Sequence, residues 1–204
     1  KLLFVIQYFT TKKERVKMPD LKVNFGESSY KGAIDIFLSK SRGMISLKGD
    51  FESESFEKII TENLNISLPK VRNISTAKNL SIIWMAPDEL LLLVEDDEVE
   101  QYIKSLEESL SGWHYLLANV SDARVIFNLK GKGVCEVLAK GTPTDMSVFE
   151  INEVRRSRIG QLAAAFWMTK NDEIELICFR SVSDYMFDWL KVASAPNSLP
   201  GYFE

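Results

Sequence analysis

One histidine and two cysteines are all that this chain of 204 residues holds of the side chains most often used to bind transition metals. His114 has no second histidine to join as a ligand or relay, and no His/Cys cluster has metal-ligand spacing. Cys135 and Cys178 make no disulfide framework at this size, and their apolar surroundings mark them as buried thiols. Long apolar runs are missing as well. Leu2 to Phe9 is only eight residues long, whereas a membrane span needs roughly 20, and no small-residue cleavage site follows it. The chain therefore reads as cytoplasmic and not membrane-bound, with residues 1–30 as an N-terminal arm or leader. Nor is there an excess of positive charge: 25 basic against 29 acidic side chains give −4. Nucleic-acid binding, which draws on phosphate neutralisation by Lys and Arg, is disfavoured.

What is present is a folded composition. Hydrophobic residues make up 46% and charged residues 26%, and a chain of this length buries about 70% of its unfolded surface. Charge is unevenly spread, with a basic start and an acidic stretch from 85 to 110. Both suit solvated surface or orientation against a charged partner.

Patterning sharpens from residue 44 onward. Met44 to Leu47 reads as a strand closed by Gly49-Asp50, and Phe56, Ile59, Ile60 and Leu64 place one apolar stripe on a helix over 51–64. Residues 70–79 read as a connection. A hairpin follows, Leu80 to Met85 and Glu89 to Val94, whose four consecutive leucines point to a buried central strand. Asp96 and Asp97 are N-cap candidates for a helix to Leu110. The same order then recurs: a strand at 123–129, a turn at Gly131-Lys132-Gly133, a helix at 133–140 ending at Gly141, a hairpin over 161–179, and a helix begun by Ser181 or Ser183. Tyr185, Met186, Trp189, Leu190 and Ala193 are expected to supply that helix's core contacts. A further strand is expected at 33–38.

A shift of 82 to 83 residues joins the two sections. Leu47-Lys48-Gly49 matches Leu129-Lys130-Gly131, Trp84 matches Phe166, Tyr102 matches Tyr185, and Leu106 matches Trp189. The fold class is therefore α+β, with two similar β-α-β-β-α (ferredoxin-like) halves at 31–112 and 113–194. Each half is small for an independent core and its helices cover one sheet face only. No Gly/Ser-rich linker separates them, so they are expected to pack as one pseudo-twofold body. Residues 195–204, with Tyr202 and Phe203, read as a tail that docks on a neighbouring chain.

The search for chemistry yields no catalytic constellation. Gly131-Lys132-Gly133 lacks the spacing of a phosphate loop, and a tight turn using positive φ explains both glycines. Asp122 and Arg124 would share one face of a strand, as a structural ion pair, a partner contact or a carboxylate reader. Arg155, Arg156 and Arg158 form the strongest basic cluster, read as a solvated loop or the polar rim of a subunit interface.

Four stretches carry a resemblance: Trp84 to Leu92, Val120 to Arg124, Leu138 to Met146 and Ile159 to Ala163. In order and spacing they resemble the gamma subunit of heterotetrameric sarcosine oxidase, although that pattern usually reads Cys-Pro at Thr142-Pro143 and Leu at Met146. The resemblance implies a fold similar to the folate-binding domain of the aminomethyltransferases. It implies alpha, beta and delta partner subunits, and a complex that oxidatively demethylates sarcosine to glycine with tetrahydrofolate as one-carbon acceptor. FAD, FMN and NAD are then expected in the large partners and zinc in the smallest, with none in this chain. No catalytic, cofactor or metal residue carries over, so the chain itself is expected to be non-catalytic. The alternatives are a gamma-type subunit of a related N-methyl amino acid oxidase or dehydrogenase, and an independent folate- or small-ligand-binding protein.

Overall fold

A computed structural model describes residues 29–203. The apolar run from Leu2 to Phe9 and nearly all of the expected arm lie outside the described residues. The chain opens with β1 (Ser29–Lys31) and β2 (Asp35–Leu38), followed by β3 (Gly43–Lys48), α1 (Glu54–Leu64), β4 (Ile74–Ala77), β5 (Leu80–Ala86), β6 (Glu89–Val94), α2 (Val99–Ser109) and β7 (Leu116–Asn119). The second run is β8 (Arg124–Lys130), α3 (Val134–Ala139), β9 (Val154–Ile159), β10 (Leu162–Lys170), β11 (Glu173–Phe179) and α4 (Ser183–Ala193).

The strands form two antiparallel sheets. One has six strands in the order β1-β2-β8-β11-β10-β9, the other five in the order β4-β5-β6-β3-β7. Three apolar layers hold them. Phe56, Ile60 and Leu64 of α1, with Val99 and Leu106 of α2, cover the outer face of the five-stranded sheet. Val134, Val137 and Leu138 of α3, with Met186, Phe187 and Leu190 of α4, cover the outer face of the six-stranded one. Between the sheets lie Met44, Ile83, Leu91, Leu93, Ile126, Ala165, Trp167 and Ile177. The layers therefore run helix, sheet, sheet, helix, and the inner face that each half leaves bare is covered by the other. The leucine run of β6 follows from this: Leu90 and Leu92 face the helices, Leu91 and Leu93 the opposite sheet. Each such side chain, fully buried, contributes roughly 1.5–3 kcal/mol.

The duplication is visible side chain by side chain. Ile45 and Leu47 correspond to Phe127 and Leu129, 82 residues on, each facing its own helices. After the hairpin the offset becomes 84: Leu90, Leu92 and Val94 correspond to Ile174, Leu176 and Cys178. The β10–β11 strands are longer than β5–β6, which shifts the second helix by one further residue. Leu106 therefore matches Leu190, not Trp189, and Tyr102 matches Met186. Tyr185 is exposed, while Phe187 takes a core place the sequence reading had not assigned.

The halves do not part at residue 112. β2 pairs with β8 (Ile36 opposite Leu129) and so joins the second sheet. β7 pairs with β3 (Leu47 opposite Leu117) and joins the first. β4, β7 and β9, three short edge strands, were not foreseen. β9 carries the three arginines that had read as a loop, and its edge is stitched to the other sheet where Val154 N donates to Arg72 O at 2.7 Å.

Helix ends also differ from expectation. No side-chain cap forms at Asp96, Asp97, Ser181 or Ser183, and Ser183 instead donates to Arg180 O. Gly141 is not left-handed; a Cβ there would lie 2.3 Å from the Trp189 ring. Of the two turn glycines only Gly131 has positive φ, and Gly133 leaves room for Leu199.

Trp167 is fully buried between the sheets, and its Nε1 donates to Glu175 Oε2 at 3.0 Å. That carboxylate lies 3.5 Å from Arg42 Nη1, which precedes β3 in the other half. Trp167→Phe removes the indole donor and is expected to cost about 1–3 kcal/mol. Urea unfolding of the full chain should show a lower midpoint with unchanged slope; an unchanged midpoint would show that this hydrogen bond contributes nothing.

Candidate functional site

At the opposite end of the inter-sheet layer a second carboxylate is held. Glu89 begins β6, directly after the hairpin turn, and is only 5% exposed. Its cross-strand neighbour is Lys48, with Nζ 3.5 Å from Oε2. Ser46 Oγ donates to Oε1 at 3.3 Å. The other two partners come from the second half. Arg156 of β9 donates from Nη1 to Oε2 at 3.1 Å, and Arg124 Nη2 of β8 lies 3.8 Å from Oε1.

Local structure sets these positions. Residues 121–123 form a single 3₁₀ turn in front of β8, anchored where Met44 N donates to Ser121 Oγ at 2.9 Å. β8 then pairs Arg124 with Phe179 of β11, and the guanidinium carbon sits 5.8 Å from that ring's centre. The Arg124 side chain is 14% exposed and that of Arg156 51%. Burial lowers the Arg124 pKa from its ordinary value; Glu89 opposes this and Arg156 adds to it. Arg124 and Arg156 bound one pocket of about 90 Å³, walled by Met85, Ala165, Ile177 and Phe179. A wider hollow of about 500 Å³ lies beside Arg156 along the sheet seam, with Arg72 and Trp84. Another, of about 680 Å³, lies over Lys48, with His114 and Asp50.

The residues singled out in sequence are distributed differently. Asp122 and Arg124 form no pair: Asp122 lies in the 3₁₀ turn, where strand alternation does not apply. Its carbonyl accepts from Arg180 Nε at 2.7 Å and its carboxylate lies 3.6 Å from Arg180 Nη2. Arg155 pairs with Glu153 and lies over Phe149. Arg156 is committed to Glu89, and Arg158 is exposed on the edge strand. The tail folds back on its own chain. Gly201 N and Phe203 N donate to the buried Glu136 carboxylate at 2.8 and 3.2 Å, while Lys140 Nζ donates to Ser198 O at 2.7 Å. Tyr202 remains 82% exposed.

Glu89 and Lys48 were missed, although the repeat marks them. Lys130 and Glu173 stand at the equivalent cross-strand pair of β8 and β11, 3.2 Å apart. Arg124 likewise has a counterpart 82 residues earlier in Arg42. Each of these arginines reaches a carboxylate of the other half, Glu89 or Glu175.

The arrangement stabilises negative charge. Burial pushes the Cys178 thiol up to about 12, and burial first, then Asp172, raises Cys135. Both stay protonated at neutral pH and are poor nucleophiles. Among the described residues no group of three or more His, Cys, Asp or Glu side chains could hold a metal ion. No helix there is long and apolar enough to cross a membrane.

Glu89→Gln leaves the largely buried Arg124 without its counter-charge, a loss of about 3–5 kcal/mol. The pair replacement Glu89→Leu with Arg124→Met should recover most of that, and Lys48→Met should cost under about 1 kcal/mol. Urea titration of the four chains checks this; a Glu89→Gln chain as stable as the parent would contradict the ion cluster.

No curated protein matches the chain. In fold it is similar to a chain of the heterotetrameric sarcosine oxidase from Corynebacterium sp. U-96 in complex with pyrrole 2-carboxylate. The identity is 18%, the TM-score 0.73, and the match covers 82% of this chain and 87% of that one. It is also similar to glycine cleavage system aminomethyltransferase T from Bartonella henselae, at 14% identity and TM-score 0.58, over 76% of this chain and 45% of that one. The chain thus spans under half of the aminomethyltransferase. The model of the sarcosine oxidase, gamma subunit family matches residues 48–196, from the end of β3 to beyond α4. The chain belongs to the sarcosine oxidase gamma-subunit family.

Proposed function

We propose that this chain is the non-catalytic gamma-type subunit of a cytoplasmic flavoenzyme assembled with alpha-, beta- and delta-type partners. The complex demethylates sarcosine oxidatively to glycine, with tetrahydrofolate as one-carbon acceptor. FAD, FMN, NAD and zinc belong to the partners, and which N-methylated amine is oxidised is a property of theirs.

The observation that carries this reading is the extent of the family match. Residues 48–196 include most of both sheets, all four helices and four of the five groups of the Glu89 cluster, Lys48, Glu89, Arg124 and Arg156, with Ser46 just outside. The matched stretch is thus the clasped body itself. Its chemistry supports the reading too. Glu89, Glu175 and Glu136 are all engaged in holding the fold, and both thiols are protonated. An independent folate-binding role would call for an enclosed site of about 300–1,000 Å³; the pocket bounded by Arg124 is about 90 Å³, and the hollows of that size, beside Arg156 and over Lys48, are open to solvent.

Native mass measurement of the chain purified from its own cells tests the proposal. Recovery with larger, flavin-bearing subunits is expected. Recovery as a lone monomer would contradict it.

A further inference from the structure

Glu89 is one negative charge facing three positive ones, from Lys48, Arg124 and Arg156. The nearby Asp122 is engaged with Arg180 and offers nothing to this balance. Two cationic charges are therefore left over. Lys48 and Arg156 are about half exposed and water can satisfy them. Arg124 is more enclosed: its side chain is 14% exposed, its ion contact to Glu89 is a long 3.8 Å, and its nitrogens reach solvent only through the pocket they line. No hydrogen-bond acceptor is found for its five donors among the described residues. Water satisfies these donors in the free chain, and an anion that displaced it would meet two cations already in place.

The space beside them has a definite size. The pocket shared by Arg124 and Arg156 measures about 90 Å³ and opens to solvent. A carboxylate with its adjoining methylene fits between the two guanidiniums. Its walls are apolar apart from the two guanidiniums and Ser157, and planar guanidinium groups suit a carboxylate. Phe179, 50% exposed and under the Arg124 guanidinium, forms the rim. Arginine and exposed aromatic rings such as Phe179 are both enriched at protein interfaces.

We infer that Arg124, Arg156 and Phe179 form a socket for a carboxylate, filled in the assembled enzyme by an Asp or Glu side chain of a neighbouring subunit. This rests on the subunit reading above. Charge complementarity selects the occupant: the unbalanced cations call for an acidic group, and the pocket takes one side chain. The desolvated pair would then hold this face of the chain in register on its neighbour.

The test uses the intact complex carrying Arg156→Lys, treated with a carbodiimide that joins an amine to a carboxylate in contact with it. Peptide mass spectrometry is expected to find the introduced amine linked to an Asp or Glu of another subunit. In addition, Phe179→Ala is expected to weaken retention of the chain in the complex about 30-fold, the loss usual for truncating an interface anchor, with unchanged melting of the free chain. Coupling to Glu89 alone, in a complex that stays assembled, overturns the inference and leaves the subunit reading standing. A small free carboxylate released one-to-one on denaturing the complex overturns the side chain as occupant. A chain that purifies without partners overturns both.

Discussion

Two carboxylates fixed between the sheets, Glu89 at one end and Glu175 at the other, govern how the two halves meet. Each is reached by an arginine from the opposite half, Arg124 and Arg42, at equivalent places in the repeat. Breaking such a pair by removing one member leaves a charge stranded where water has little access, which is why these contacts constrain the fold beyond their net contribution. The apolar layer between them could slide by two residues along a strand and still bury leucine and isoleucine. Paired charges at both ends resist that slip, because period-two shifts would separate every one of them.

The remaining architecture follows from what this layer requires. A β-α-β-β-α half covers one sheet face with its own helices and needs an apolar partner for the other. Duplication supplies that partner within one chain. The exchange of β2 and β7 binds the halves more tightly, since each sheet contains a strand from outside its own repeat. The tail, pinned by Glu136 and Lys140 over α3, closes the second half and leaves Tyr202 turned outward.

Elements with strong periodicity were legible in the sequence. The leucine run of β6 and the Phe56, Ile60, Leu64 stripe of α1 declare their faces without help. The edge strands did not, since β9 presents Val-Arg-Arg-Ser-Arg-Ile and only its position beside β10 gives that pattern meaning. Pairings such as Ile36 with Leu129 depend on tertiary register across some ninety residues, which no local pattern encodes. The site was half legible. Arg124 stands out in the sequence, but beside Asp122; a 3₁₀ turn breaks the alternation that would pair those two, and Arg124 and Arg156 both reach Glu89 instead. Glu89 was hidden at the head of an acidic stretch that looked like solvated surface. The repeated Lys48–Glu89 and Lys130–Glu173 pairs were the signal that could have revealed it.

The central claim is that the two halves are one cooperative body and not two domains in contact. Native-state hydrogen exchange of the full chain in increasing denaturant tests it most directly. Peptides from β6 in the first sheet and β11 in the second should open with the same free energy and the same denaturant dependence. If β6 exchanged through a separate, lower-energy opening while β11 stayed protected, the halves would be independent and the account of the clasped layer would be wrong.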